Sequence, residues 1–82
     1  QCGMSVKDAS AVGKGFPDLV IGFRGLNFLV EVKDGDLTPG NRRLTADQET
    51  FHAAWAGQIC VAISVEDAIA KVVAAAKELG RA

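Results

Sequence analysis

The chain has 82 residues, a net charge of −1, and 49% apolar and 23% charged side chains, which is the balance of one small globular domain spanning residues 1–82. No apolar run approaches the roughly 20 residues of a membrane span, no signal-peptide pattern opens the chain, and Cys2 and Cys60 are too far apart for a CxxC metal or disulfide motif. A reducing cytoplasm is therefore expected. The acidic balance argues against a surface built to grip phosphates, unless several acids belong to a metal site.

In chain order, residues 1–7 read as a short strand. "DASAVGKGF" (8–16) is small and Gly-rich and reads as a loop. Residues 17–23 and 27–33 are rich in Val, Leu, Ile and Phe and read as two strands. A two-residue turn at Gly25-Leu26 between them suits type II′ geometry, with Gly at the first central position.

"DGDLTPGNRR" (34–43) reads as loop. Thr45 is then a good N-cap, and Gln48 three residues later completes a capping box. The spacing predicts a helix to about Ala56, stopped by Gly57. "QICVAI" (58–63) reads as a buried strand. Ser64 caps a second helix whose stripe of Val65, Ala68, Ile69, Val72, Val73, Ala76 and Leu79 ends at Gly80. The order strand, strand, strand, helix, strand, helix implies an α/β sandwich around a mixed sheet.

The two central strands carry a pattern of charge. Side chains alternate faces, so Leu19, Ile21 and Phe23 share one face while Asp18, Val20 and Gly22 take the other. Likewise Phe28, Val30 and Val32 oppose Leu29, Glu31 and Lys33. A turn at Gly25-Leu26 pairs Arg24 with Asn27, Val20 with Glu31, and Asp18 with Lys33. Asp18 then lies across from Lys33, with Cβ atoms about 5 Å apart, and diagonal to Glu31 at about 7 Å. Two readings remain open at this point. Asp18 and Lys33 form a cross-strand salt bridge with Glu31 solvated, or the two carboxylates share one divalent cation.

Pro17-Asp18, twelve intervening residues and then Glu31-Val32-Lys33 resembles the PD-(D/E)XK nuclease signature. With "GKGFPDLVIG" ahead of "FLVEVKDG", and "LTADQETFHAAW" after it, the chain looks like a small phage-type member of the VRR-NUC (virus-type replication-repair nuclease) branch, over roughly residues 10–64. The resemblance implies a restriction-endonuclease-like mixed sheet flanked by helices. It also implies a metal-dependent endonuclease that hydrolyses DNA phosphodiesters in a bacterial or phage-infected cell. Asp18, Glu31 and the Val32 backbone carbonyl would bind Mg2+ or Mn2+, Lys33 would orient or activate the attacking water, and Gln48 would match the family's active-site glutamine.

Branched DNA such as a Holliday junction is the expected substrate, cut by a two-fold homodimer. Flap, restriction or repair cleavage, and a catalytically silent DNA-binding or assembly module, are the alternatives. The family's fold usually begins with a helix that adds a further acid to the site. This chain is expected to lack that helix and to start at the first strand.

Outside the motif, Lys14 and Ser10 in the Gly-rich loop are candidate DNA contacts, as are Arg42 and Arg43 ahead of the first helix. His52 is the single histidine. It sits one turn after Gln48 and could approach the site or substrate, but reads first as a surface or packing residue. Phe51 and Trp55 are expected in the core or a dimer interface, Asp34 and Asp36 as solvated turn acids, and Cys60 as a buried thiol.

Overall fold

The computed structural model describes residues 3–38, 40 and 43–80. Within them a four-stranded sheet of order β1-β2-β3-β4 is built from β1 (Ser5–Asp8), β2 (Leu19–Phe23), β3 (Leu26–Val32) and β4 (Gln58–Ala62). Helices α1 (Ala46–Ala54) and α2 (Val65–Glu78) complete the chain. β1–β2 and β2–β3 are antiparallel and β3–β4 is parallel. A parallel pair cannot be joined by a tight turn, and the crossover that returns the chain from β3 to β4 carries α1. The α/β class and the mixed sheet agree with the order of elements legible in the sequence.

The alternation expected of β2 and β3 is realised. Ile21, Phe23, Phe28 and Val30 pack with Ala62 of β4 and with Ala68, Val72 and Ala76 of α2 into one buried cluster. The cluster residues of α2 recur every four positions, so they form a single stripe laid on one face of the sheet. Leu29 and Glu31 are buried on the other face. There α1 is tied down by Lys33–Gln48 and by the edge-to-face contact of Phe16 with Phe51, ring centroids 5.2 Å apart. An apolar groove of about 420 Å3 opens between β1, β2 and the start of α2, lined by Met4, Val6, Leu19, Ile21, Val65, Ala68 and Ile69.

The hairpin differs from expectation in its turn, and this moves everything downstream. Arg24 and Gly25 are the central residues, with φ of +54° and +80°. Two left-handed central residues define a type I′ turn, not II′, and Gly occupies the second position. Phe23 pairs with Leu26 and Val20 with Leu29, whereas a turn at Gly25-Leu26 would pair Val20 with Glu31. The register is displaced by two residues. Arg24 folds back so that its guanidinium lies 5.2 Å from the centroid of the Phe23 ring, a contact that offsets part of the cost of a non-glycine left-handed residue.

Three boundaries also differ. The first strand is Ser5–Asp8 and is exposed throughout; Gln1 and Cys2 lie outside the described residues. Helix α1 ends at Ala54, with Trp55 as an extended C-cap (φ −74°, ψ 124°), so Gly57 does not stop it. Gly57 instead lies under the Trp55 indole, where an added Cβ would come within 2.8 Å of Nε1. Ile63 is 44% exposed and falls outside β4. Phe51 and Trp55 do stack, at 5.3 Å, but Trp55 is 43% exposed, so the pair forms an aromatic ladder on the surface and not a core.

Candidate active site

Asp18 precedes β2 and is held at both backbone and side chain. Its carbonyl accepts the Ala9 N–H at 2.7 Å, which extends the β1–β2 ladder by one rung. Its Oδ2 accepts the Val32 N–H at 3.0 Å. Pro17 beside it is fully buried. Continuing the β2–β3 register beyond Leu19↔Val30 brings Asp18 directly opposite Glu31. The expected Asp18–Lys33 cross-strand pair is therefore not formed. Lys33 Nζ turns instead to Gln48 Oε1 at 2.8 Å and approaches Glu31 Oε2 at 3.9 Å.

Glu31 is 2% exposed, which overturns the solvated reading of this residue. Its Oε1 is buried and has no hydrogen-bond partner among the described residues. Burial pushes its pKa from 4.5 up to about 7, and the hydrogen bond with Asp18 and the charge of Asp18 push the same way, against a smaller pull from Lys33. A buried carboxylate whose neighbour is another carboxyl group holds a proton or needs a cation. In the Asp18–Glu31 pair the Lys33 ammonium supplies only one distant partner.

Gln48 is the third element of the site. A single oxygen does two jobs: Oε1 accepts the Thr45 backbone N–H at 2.9 Å, closing the capping box, and accepts Lys33 Nζ. The capping role and the site role coexist. What brings α1 this close is the loop ahead of β2. Gly15 has φ +81°, and an added Cβ there would stand 2.4 Å from the Asp47 carbonyl oxygen. Only a glycine permits this contact between the loop and the first turn of α1.

The oxygen chemistry of the site fits a small hard cation. Asp18 and Glu31 offer carboxylate oxygens from adjacent strands. The N–H and C=O of one strand residue leave on the same side, so the Val32 carbonyl is directed toward Asp18, as its N–H is. Oxygen donors suit Mg2+ or Mn2+, and the buried, unpartnered Glu31 Oε1 is the atom such an ion would satisfy. Among the described residues no third His, Cys, Asp or Glu joins the two carboxylates. Water and substrate oxygens would have to fill the remaining positions.

No family model, no curated protein and no solved structure matches this chain.

The flanking candidates separate. Lys14 is exposed and has φ +56°, between Gly13 at +80° and Gly15 at +81°, so the loop places it beside the first turn of α1. Ser10 donates from both N and Oγ to Asp8 Oδ1, at 2.8 and 2.7 Å, and so organises a turn at the end of β1. Arg43 is exposed, and Arg42 lies outside the described residues. Asp34 accepts the Asp36 N–H at 2.9 Å in an exposed turn, as expected of a turn acid. Cys60 is half-buried, its thiol pKa raised chiefly by burial. His52 fits the packing role expected of it. It is half-buried, its Nε2 has no partner among the described residues, and burial followed by the Lys33 charge lowers its pKa.

Proposed function

We propose that this chain is a metal-dependent endonuclease domain of the PD-(D/E)XK type, VRR-NUC branch, acting on DNA phosphodiester bonds. The observation that carries the reading is the Asp18–Glu31 pair, with Glu31 buried and its Oε1 unpartnered, next to a lysine held by a glutamine. Two facing carboxyl groups, one of them buried, are well suited to share a divalent cation. Asp18, Glu31 and the Val32 carbonyl would hold Mg2+ or Mn2+. Bound there, the ion supplies Lewis-acid polarisation of a phosphoryl oxygen and lowers the pKa of a water.

The chain's own groups do the rest. The Val32 N–H fixes the Asp18 carboxylate. Lys33 keeps a positive charge at the edge of the pair, where it offsets the negative charge that develops on the phosphate and orients the attacking water. Gln48 Oε1 holds the Lys33 ammonium in place from α1. Lys14, on its left-handed loop, would contact a flanking phosphate. Branched DNA is the favoured substrate and a homodimer the favoured assembly, because resolving a four-way junction takes two symmetric cuts.

The test is cleavage of a labelled four-way junction beside matched duplex and flap DNA, with Mg2+ or Mn2+, by the wild-type chain and Asp18→Ala. Paired nicks across the junction, lost in the variant, support the reading. Cutting of flap or duplex alone keeps the nuclease and rejects the junction. One observation favours a second reading, a catalytically silent DNA-binding or assembly module: no third acidic or imidazole ligand accompanies the pair among the described residues. Binding of DNA without cleavage in either metal would select it.

A further inference from the structure

Phe16, Phe51 and Trp55 form a ladder of rings that takes no part in the carboxylate site. Phe16 meets Phe51 edge-to-face at 5.2 Å, and Phe51 stacks on Trp55 at 5.3 Å with the two planes 17° apart. Among the described residues Trp55 is the one aromatic ring left exposed, at 43%. Phe51 covers one face of its indole, and Gly57 closes on the Nε1 edge, where an added Cβ would stand 2.8 Å away. The surface that stays open to solvent is therefore the opposite ring face. The ring is also fixed at its root, because the Trp55 N–H caps α1 by donating to the Phe51 carbonyl at 3.0 Å. Position ties this ring to the site. Trp55 follows Gln48 by seven residues, two helical turns, so both lie on one side of α1, about 10 Å apart along its axis. Gln48 is the residue that holds Lys33.

We propose that Trp55 is a base-stacking platform, its open indole face taking an unpaired nucleobase of the DNA strand whose backbone lies at Asp18, Glu31 and Lys33. Every base has a π-face, so the contact tolerates any sequence. A base inside a duplex is already stacked and must first be taken out. The platform therefore favours DNA that carries unpaired nucleotides beside the cut, as a branch point or a single-stranded tail does. Area speaks for a base and against a second copy of this chain. A tryptophan carries about 150–250 Å2 in all, whereas a stable protein interface takes roughly 800 Å2 from each partner. The small side chains Ala53, Ala54 and Ala56 around it add little. One ring face is what one base covers. The presence of DNA at this side of α1 rests on the nuclease reading, and the platform adds which DNA is preferred.

Trp55 is the chain's single tryptophan and the chain has no tyrosine, so intrinsic fluorescence reports this ring directly. The wild-type chain, without divalent metal so that nothing is cut, is titrated with a short oligothymidylate, an abasic oligomer of the same length, and matched duplex. We expect quenching by the oligothymidylate and little by the other two. Equal quenching by the abasic oligomer, or none by any of the three, overturns the proposal. So does emission that shifts with protein concentration alone, which assigns the ring to a contact between copies. Affinity for labelled oligothymidylate, read as anisotropy, should fall about tenfold in Trp55→Ala. It should stay near wild type in Trp55→Phe, whose ring keeps a stacking face, and duplex affinity should hold in both. Equal loss in the two variants, or none in either, overturns the platform. A chain quenched by oligothymidylate that cuts no DNA in Mg2+ or Mn2+ supports the platform and rejects the nuclease. A chain that cuts DNA, with Trp55→Ala indistinguishable from wild type, keeps the nuclease and rejects the platform.

Discussion

Asp18 stands directly across the hairpin from Glu31, one rung beyond the Leu19–Val30 pair, and the Val32 N–H pins its Oδ2 at 3.0 Å. The two carboxyl groups therefore face one another from adjacent strands, and one of them is buried. The loss of solvent first, then the hydrogen bond with Asp18 and its charge, raise Glu31 to a pKa of about 7.

That shift has a definite sign. The Glu31 proton is bound more tightly in the folded chain than in the unfolded one, so its stabilising contribution is complete below pH 4.5 and is lost as pH rises to about 7. Urea denaturation without metal should show stability falling across this window by up to about 3 kcal/mol. Glu31→Gln should flatten the profile. Mg2+ or Mn2+ should restore stability at pH 7.5 and have little effect at pH 5, where the proton competes. A flat wild-type profile would remove the buried carboxyl from the account.

Lys14 is a test of function stored as backbone strain. A non-glycine residue at φ +56° costs roughly 1–2 kcal/mol relative to glycine, against a smaller entropic penalty for glycine in the unfolded chain. Lys14→Gly should leave thermal stability unchanged or slightly raised while weakening DNA binding, with a shallower dependence on salt. Unchanged DNA affinity would make Lys14 an ordinary loop lysine.

Gly15→Ala should be severe. The methyl would meet the Asp47 carbonyl at 2.4 Å from a left-handed backbone, and the first turn of α1 would have to retreat. A loss of about 2 kcal/mol or more is expected, read as the urea midpoint. Displacement of Gln48 from Lys33 should lower cleavage further than the stability loss alone explains.

Gln48→Glu separates the cap from the site. Glu serves a capping box as well as Gln does, and an acid in the first turn favours the helix dipole, so stability should hold or rise. The added negative charge against Lys33 should nevertheless depress cleavage. Gln48→Ala loses both functions and should also cost about 1 kcal/mol of stability. Full activity in Gln48→Glu would confine this residue to capping.

The chain on its own determined the features that arise from local periodicity. Alternation assigned Ile21, Phe23, Phe28 and Val30 to one face and Asp18, Glu31 and Lys33 to the other. The Thr45–Gln48 box and Ser64 marked the two helix starts, and the apolar stripe of α2 contained its buried residues Ala68, Val72 and Ala76, although its ends Val65 and Leu79 are exposed. Tertiary structure decided the pairing. A one-residue slip between strands would have turned the apolar set outward, but a two-residue slip preserves both faces. The hydrophobic pattern therefore could not distinguish Asp18 opposite Lys33 from Asp18 opposite Glu31. A turn with φ positive at both Arg24 and Gly25 made that choice. The partners of Lys33 were equally out of reach of sequence. Gln48 approaches it only because the crossover lays α1 over the Glu31 face and the Gly15 loop lets it come close. Such contacts between residues distant in the chain are set by packing, which no local pattern records.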